Sequence, residues 1–482
     1  MKWKNFFDSE KNILVVVFIS FFFLLNIYFL QRYFLINWDE SVYIGMAKYI
    51  ASFGKIGLFE PLRPIALPIV LSLVWSVGLK SVMAFRIVEL LFACGSLFLV
   101  HTISSYLFNK RAGLTAVLIL GTTPLFFQNS FQIMTEIPSI FFALLALYFL
   151  LKERLFLSGL FSGITFLFKF PQGLVFLGIF IALFIYKFSS NLSLKKFVLY
   201  SKNYFIAFAF VMLIFMSYNF ITYVDVADKI YQAPLYSILK GAEHQNNPTH
   251  AINSLFEAIT FYPYQLLKDN LTLLFFIPGI LFLLNKKFLF SKKSALILIL
   301  LLLCLYFTQI INKQLRFGLL FLPYIAIISS FGFEKLFSYK NKIVKSLSFV
   351  ILFVLIISSF VNIEKHNYNQ QFDSEPAIVS EIYKYFENFK GVVSTTIPIP
   401  AAYTNIRYEP FYYSVNESFI YYNEHNQSSD ALIFNYNFFP CSYYGQDCID
   451  KKNKLFEMIQ EDFDLVFNKS LFYEEYLIYL KK

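Results

Sequence analysis

The stretch PIALPIVLSLVWSVGL, residues 64–79, decides how often the chain crosses a membrane. The stretch is apolar, but it is shorter than the roughly 20 residues that a helix needs to cross a hydrocarbon core of about 30 Å. It also contains Pro64 and Pro68, which do not suit the interior of a long helix. We therefore predict an interfacial or re-entrant helix at this position, not a membrane span.

Longer apolar runs on both sides of this stretch predict an all-α polytopic membrane protein. Of the 482 residues, 57% are hydrophobic and 15% are charged, whereas a soluble domain carries about 25% charged residues. The run that begins at Ile13 has no small-residue cleavage site after it, so we predict an uncleaved anchor. About eleven spans are predicted, at residues 13–30, 81–105, 113–131, 137–151, 155–168, 171–187, 204–221, 271–285, 295–311, 317–337 and 346–362.

Basic residues between the spans orient the chain. They form short clusters, such as Lys110 with Arg111 and Lys340 with Lys342, that all fall on the side of the N-terminal lysines. Cytoplasmic loops are enriched in Lys and Arg, so this side is predicted to be cytoplasmic. We expect a multi-pass protein of the plasma membrane, and the net charge of +10 does not indicate a nucleic-acid partner. If residues 64–79 crossed the membrane, every later loop would change sides.

The outward side then holds the first loop, residues 31–80, and the polar tail, residues 363–482. Residues 1–362 are predicted to form the transmembrane domain, and the tail a small extracytoplasmic α/β domain. In the tail, GVVSTTIPI and DALIFNYNFF predict strands, and PAIVSEIYKYFENF predicts an amphipathic helix. A disulfide between Cys441 and Cys448 is the natural interpretation in an extracytoplasmic tail.

Charged residues at the outward ends of several spans are the candidate site. Lys169, Lys313 and Arg316 are basic on the side where the topological bias disfavours them, which makes them functional candidates. The outward side also holds the acidic and basic residues Asp39, Glu40, Arg63 and Glu136, and His244 lies in the long outward loop, residues 222–270. Basic side chains bind phosphate, and a carboxylate can take a proton from a hydroxyl group. This combination indicates a substrate with a lipid-linked phosphate.

The first outward loop resembles a known family. The segment NWDESVYIGMAKYIASFGKIGLFEPLRPIALPIVLSLVWSVG, residues 37–78, is similar to the first outer loop of the class C glycosyltransferases, with an acidic pair, Tyr43 and an Arg63-Pro64 step. The closest likeness is to the dolichyl-phosphate-mannose protein mannosyltransferases and the aminoarabinose lipid A transferases. Three later segments continue the likeness, so that it covers roughly residues 13–335: MTEIPSIFFALLALYFL, SGLFSGITFLFKFPQGL and NKQLRFGLLFLPYIAI.

The resemblance implies a hexosyltransferase that moves a hexose or mannose-like sugar, with inversion, from a polyprenyl or dolichyl phosphate to an acceptor on the outer face. By position, Asp39 would be the general base, with Glu40 beside it, and Glu136 would be a second acidic residue near the acceptor or a metal. The residues that would contact the donor and its phosphate are Arg63, Lys169, Arg316, Lys313 and Tyr43. The chain departs from the family pattern at Glu136, where Asp is frequent, and at Ser41 and Val42, where some members carry a basic residue.

The expected partners are a polyprenyl-phosphate sugar donor, membrane lipids, and a protein, lipid or glycan acceptor, as in protein glycosylation or cell-envelope modification. The cofactor question stays open: a divalent metal would have Glu136 and His244 as its candidate ligands. Two other functions remain open, a lipid-linked-sugar transporter or flippase and a polysaccharide polymerase or ligase. A structural role also remains open for Asp39 and Glu40, because acidic residues favour the first turn of a helix.

Overall fold

A computed structural model describes residues 10–31, 36–60, 63–222, 255–310, 313–369, 382, 385–386, 389–411, 422, 429–435, 445–471 and 474–482. The contacts within the chain divide it into two compact units. The membrane unit comprises Met1–Tyr33, Leu62–Ala66 and Arg86–Gln371, and the sheet unit comprises Phe34–Pro61, Leu67–Phe85 and Phe372–Lys482. The predicted division at residue 362 stays a prediction.

The described part of the chain is mainly helical. Its α-helices, numbered along the chain, are α1 (Glu10–Leu30), α2 (Trp38–Ala51), α3 (Ala66–Ser76), α4 (Val82–Leu107), α5 (Lys110–Gly121), α6 (Pro124–Asn129), α7 (Glu136–Leu151), α8 (Leu155–Phe168), α9 (Leu174–Ser189), α10 (Leu194–Thr222), α11 (Leu255–Asp269), α12 (Phe276–Leu283), α13 (Lys286–Leu289), α14 (Ala295–Gln309), α15 (Leu322–Phe337), α16 (Lys342–Asn369), α17 (Ile399–Tyr403) and α18 (Gly445–Asp462). Short 3-10 helices cover Phe170–Gly173, Leu271–Phe275, Lys292–Ser294 and Leu315–Leu320.

Six helical segments within the described residues are long and apolar enough to cross a membrane. They are Asn12–Leu30, Val82–Leu107, Phe170–Ser189, Leu194–Ser217, Lys292–Gln309 and Lys342–Ile363. A seventh candidate is a pair of segments, Leu255–Asp269 and Leu271–Leu283, that bends by 118°. The prediction of a multi-pass membrane protein is thus confirmed, but the count of eleven spans is not.

Helix breaks explain the difference in the number of spans. The predicted span 113–131 is two helices, α5 and α6, because Pro124 has no amide hydrogen and opens a new helix instead of continuing the old one. The predicted spans 137–151 and 155–168 are helices of 16 and 14 residues, below the usual length for a crossing. The predicted span 317–337 begins with a 3-10 helix, before α15 starts beside Pro323.

The segment 64–79 contains α3, a helix of 11 residues. The prediction of a short helix that does not have the length of a span is therefore confirmed. Its placement at the outer membrane face stays a prediction, as does the rest of the topology.

Close helix contacts in the membrane unit depend on glycine. A Cβ atom at Gly159 in α8 would lie 2.0 Å from the carbonyl oxygen of Tyr204 in α10. A Cβ atom at Gly332 in α15 would lie equally close, 2.0 Å, to the carbonyl oxygen of Phe275. Small residues allow helix backbones to approach closely, which is the main source of packing energy between helices in lipid.

The sheet unit contains a six-stranded sheet in the order β1-β3-β2-β4-β6-β5. The strands are β1 (Gly57–Leu58), β2 (Val392–Thr395), β3 (Arg407–Pro410), β4 (Ala431–Asn435), β5 (Phe463–Leu471) and β6 (Glu474–Lys481). The first three pairings in this order are parallel and the last two are antiparallel. Strands β2 and β4 confirm the two predicted strand segments, whereas most of the predicted helix PAIVSEIYKYFENF lies outside the described residues.

Strand β1 comes from the first loop, and sequence analysis did not predict it. The Gly57 amide donates a hydrogen bond of 2.7 Å to the Ile406 carbonyl, and Leu58 is in register with Tyr408 of β3. Val42 and Met46 of α2 also pack in one apolar cluster with residues of the sheet. Part of the first loop is therefore built into the sheet unit.

The position of Gly57 requires glycine for two separate reasons. Its φ is +88°, a backbone conformation that side chains with a Cβ atom disfavour. A Cβ atom there would also lie 2.3 Å from the Gly45 carbonyl oxygen and 2.7 Å from the Tyr49 amide nitrogen. Helix α2 and strand β1 therefore pass each other at a distance that leaves no room for a side chain.

The substitution Gly57→Ala is expected to lower the unfolding temperature of the protein in detergent by more than Gly78→Ala does. Gly78 is a matched control, because its φ is +94° and nothing lies within 4 Å of a Cβ atom there. The left-handed backbone alone costs about 1–2 kcal/mol at either position, and only Gly57→Ala adds the collision with α2. Equal shifts for the two variants in a thermal unfolding experiment would contradict the close approach of α2 and β1.

Candidate functional site

A cluster of charged residues in the membrane unit begins with Glu136. Glu136 is the first residue of α7, where the partial positive charge of the helix N-terminus stabilises a carboxylate. The residue is only 2% exposed, so its carboxylate needs partners to offset the loss of hydration. The Thr135 hydroxyl lies 3.5 Å from Oε2.

Lys169 provides the main partner of this carboxylate. It follows the last residue of α8 and precedes the 3-10 helix Phe170–Gly173, so it stands at a break between two helices. Its Nζ donates a hydrogen bond of 2.8 Å to Oε1 of Glu136. The same ammonium group lies 5.0 Å from the ring centroid of Phe317, within the range of a cation–π contact.

Arg316 is the third member of the cluster. It lies in the 3-10 helix Leu315–Leu320, and its Nε is 3.7 Å from Oε1 of Glu136. The same Nε donates a hydrogen bond of 2.6 Å to Oε1 of Gln314, and Nη1 lies 3.7 Å from Sδ of Met134. Three separate helix ends thus bring together Glu136, Lys169 and Arg316, which we call the Glu136 cluster.

The Glu136 cluster has the charge distribution of an anion site. The cluster contains two cations and one carboxylate. Arg316, at 28% side-chain exposure, is the most accessible member, whereas the Glu136 side chain is shielded. Guanidinium groups match the geometry of phosphate oxygens, and their charge acts strongly where water is scarce. The arrangement is therefore suited to hold the phosphate of a lipid carrier.

Lys313 has a different environment from the cluster. Its Nζ donates hydrogen bonds to the carbonyl oxygens of Phe307 and Thr308, near the C-terminal end of α14. Burial lowers the pKa of Lys313 to about 8. A lysine that binds the last carbonyls of a helix has a structural role. The predicted contact of Lys313 with a donor phosphate stays a prediction.

The acidic pair of the first loop lies in α2 of the sheet unit. Asn37 and Glu40 form a capping box: Oδ1 of Asn37 accepts from the Glu40 amide and Oε2 of Glu40 accepts from the Asn37 amide, both at 3.0 Å. This gives Glu40, which is fully buried, a structural role. Asp39 is half-buried and Tyr43 is buried. Sequence analysis considered only the acidic residues and missed Asn37. The spacing N-x-x-E is the signal that could have predicted the capping box.

The remaining predicted residues are Arg63, His244 and the two cysteines of the tail. Arg63 is half-buried and belongs to the membrane unit. His244 and Cys441 lie outside the described residues, while Cys448 is disulfide-bonded. Within the described ranges, no three His, Cys, Asp or Glu side chains group together as metal ligands. The involvement of a divalent metal stays untested.

Residues 62–216 match the model of the family described as dolichyl-phosphate-mannose-protein mannosyltransferase. This region contains Glu136 and Lys169. No curated protein sequence is similar enough to count as a match.

Solved structures show the same fold. ArnT from Cupriavidus metallidurans, bound to undecaprenyl phosphate, superimposes with a TM-score of 0.62 at 10% sequence identity, over 97% of this chain and 97% of that chain. The resemblance to the class C glycosyltransferases is confirmed. The archaeal oligosaccharyltransferase AglB from Archaeoglobus fulgidus, in complex with an inhibitory peptide and a dolichol-phosphate, gives a TM-score of 0.52 at 12% identity, over 98% of this chain and 74% of that chain.

The apo form of the Archaeoglobus fulgidus oligosaccharyltransferase gives the same TM-score of 0.52 at 12% identity, with 83% of this chain and 66% of that chain covered. At these identities the similarity concerns the fold. The matching family is described as a mannosyltransferase, and two of the similar structures contain a lipid phosphate, undecaprenyl phosphate in ArnT and dolichol-phosphate in AglB.

The substitution Glu136→Gln is expected to destabilise the protein, because it removes a buried carboxylate that pairs with Lys169 and Arg316. Removal of one partner from a buried ion pair costs about 3 kcal/mol or more, somewhat less where the cations are partly hydrated. Glu153→Gln is a matched control: Glu153 pairs with Lys292 at 2.9 Å, but its side chain is 69% exposed, and the expected cost is below about 1 kcal/mol. Thermal unfolding in detergent compares the two, and equal shifts would contradict the ion-pair role of Glu136.

Proposed function

We propose that the protein is an inverting glycosyltransferase that moves a hexose or mannose-like sugar from a polyprenyl-phosphate carrier to an acceptor on the outer face of the membrane. The observation that supports this function best is the Glu136 cluster, which brings two cations and a carboxylate to three helix ends in a fold shared with ArnT. The proposed donor is chemically similar to the lipid in the ArnT structure, which is bound to undecaprenyl phosphate.

The cluster would act on the leaving group. When the bond between the anomeric carbon and the phosphate oxygen breaks, the carrier leaves as a phosphate with an additional negative charge. Arg316 and Lys169 would stabilise that charge, and Glu136 would hold both cations in place. Preorganised charges of this kind act mainly in the transition state, and loss of one contact typically lowers the rate by about 10²–10³.

Asp39 would act on the acceptor. As the acceptor hydroxyl oxygen forms its bond to the anomeric carbon on the face opposite the phosphate, its proton passes to the Asp39 carboxylate. The attack from the opposite face inverts the configuration of the anomeric carbon. Asp39 is half-buried in the first turn of α2, and the neighbouring capping box fixes the backbone of that turn. The proposal for Asp39 rests on this accessibility and on the resemblance of residues 37–78 to the family loop.

The fold distinguishes this proposal from the alternatives only in part. Similarity to ArnT and AglB favours a transferase over a lipid-linked-sugar transporter or flippase. A polysaccharide polymerase or ligase would use a diphosphate-linked oligosaccharide. Parallel assays with sugar on a polyprenyl monophosphate and on a polyprenyl diphosphate therefore separate the two enzymes, and transfer from the diphosphate alone would overturn the proposal.

The substitution Asp39→Asn is expected to lower the rate of sugar transfer by at least about 10²-fold, because it removes a proton acceptor and keeps the size of the side chain. Loss of one charge in the first turn of α2 is expected to lower stability by no more than about 1 kcal/mol. Glu40→Gln is the control with the opposite pattern: it weakens the capping box, costs about 1 kcal/mol of stability and largely preserves transfer. Transfer of labelled sugar from a polyprenyl phosphate to source-organism membranes measures both. Full activity of Asp39→Asn would show that Asp39 is not the base.

The substitution Arg316→Met is expected to reduce transfer about 10²–10³-fold, since it removes the accessible cation of the Glu136 cluster. Lys313→Met also removes one positive charge, three residues away, but the ammonium group of Lys313 binds backbone carbonyls. This variant is therefore expected mainly to lower the stability of the protein. The same transfer assay, combined with thermal unfolding, measures both variants. A larger loss of transfer for a well-folded Lys313→Met than for Arg316→Met would assign the phosphate contact to Lys313.

A further inference from the structure

The sheet unit contains a cavity of about 240 Å³ that the proposed transfer reaction does not use. All its lining residues belong to that unit. They are Ile44, Lys48, Trp75, Lys80, Val82, Phe85, Ala402, Tyr403 and Asn405. Two of these residues are basic and none is acidic, so the cavity has the positive charge of an anion site.

Lys48 is the most buried charged residue of the cavity. It is only 2% exposed, and its Nζ donates hydrogen bonds of 2.7 and 2.9 Å to the carbonyl oxygens of Ala402 and Thr404. Burial lowers the pKa of Lys48 to about 7. The two carbonyl oxygens supply partial charge but not a counterion. An anion in the cavity would offset part of the cost of burying this ammonium group.

The second cation stands at the rim. Lys80 is exposed, and its Nζ lies 5.8 Å from the ring centroid of Trp75, while Nζ of Lys48 lies 5.0 Å from the same ring. Tyr403 and Asn405 are exposed as well and add a hydroxyl and an amide to the lining. The cavity therefore combines two lysines with neutral hydrogen-bonding groups, and a bound phosphate would favour the charged form of Lys48.

The chain segment that contributes Trp75 and Lys80 to the cavity also exposes apolar side chains. Helix α3 and the turn after it expose Leu73, Val77 and Leu79, with exposed fractions of 64%, 75% and 56%. Lys80 follows directly, two residues before the candidate membrane span Val82–Leu107 begins. A tryptophan and a lysine at the end of a span are typical of the headgroup region of a bilayer. Two of the residues that line the cavity, Trp75 and Lys80, therefore lie close in sequence to a candidate membrane span.

We propose that this cavity binds the phosphate of an anionic phospholipid, while the exposed apolar side chains of α3 and its following turn enter the adjoining acyl region. A free phosphate ion would gain from the two lysines but not from the apolar surface beside them. The site is separate from the Glu136 cluster and does not depend on the proposed transfer reaction.

The test uses the full-length protein, stripped of lipid in detergent and then exposed to phosphatidylglycerol or phosphatidylcholine. Native mass spectrometry counts the lipid that stays bound. The wild-type protein is expected to retain phosphatidylglycerol in preference to phosphatidylcholine. Lys80→Ala should lower the retained phosphatidylglycerol about fivefold, and Trp75→Leu should lower it too. Lys55→Ala is the matched control, because Lys55 is an exposed lysine of the same unit outside the cavity lining.

The comparison of variants decides between specific and general binding. An equal loss for Lys80→Ala and Lys55→Ala would overturn the proposal in favour of general surface charge. Lys48→Met provides a second arm, because a folded Lys48→Met protein that keeps its preference for phosphatidylglycerol would also overturn it. Folding of that variant is checked by its unfolding temperature.

Competition identifies the source of the phosphate. Inorganic phosphate at millimolar concentration should not displace the bound phosphatidylglycerol, since it lacks the acyl chains. Displacement by inorganic phosphate would assign the cavity to a free anion. Complete displacement by an equimolar amount of polyprenyl phosphate, lost again in Lys80→Ala, would assign the cavity to the donor lipid. Either outcome would overturn the phospholipid assignment.

Discussion

The ion pair between Glu136 and Lys169 is the interaction on which the organisation of the membrane unit depends. A helix break inside an apolar unit exposes backbone groups that have no water to bind, so such breaks persist only where other groups stabilise them. Here the start of α7, the end of α8 and the 3-10 helix before α15 each contribute one charged side chain to the same place. The ion pairs therefore join three helix ends and place their charged side chains in one cluster. A continuous set of helices would have no such site.

Much of this arrangement follows from the sequence, because it depends on local patterns. Apolar runs identify the membrane class, and six of the predicted spans have the necessary length in the structure. The grouping of Glu136, Lys169 and Arg316 was predicted from the side of the membrane on which each span end falls. The count of eleven spans is not confirmed, because breaks beside Pro124 and Pro323 divide apolar runs that look continuous by composition. A hydropathy pattern measures the apolar content of a segment and does not detect where one helix ends and another begins.

Other features could not be predicted, because they depend on contacts far apart in the sequence. The pairing of Gly57 with Arg407 joins two short segments that carry no strand pattern of their own. Burial of Lys48 beneath carbonyl groups of Ala402 and Thr404 is equally invisible in the chain. The fold is shared with ArnT at 10% identity, which shows that very different sequences satisfy the same packing constraints.

Strand β1 also has a consequence for the order in which the protein matures. Its partner β3 follows 350 residues later, as the register Gly57 to Arg407 shows. At a synthesis rate of about 5–20 residues per second, the ribosome needs roughly 20–70 s to produce that partner. During this interval helix α2, with Asp39 and the capping box, has no sheet to pack on. In a truncated chain that lacks β3, strand β1 of the first loop therefore has no partner strand. The sheet can form around this loop only after β3 has been synthesised.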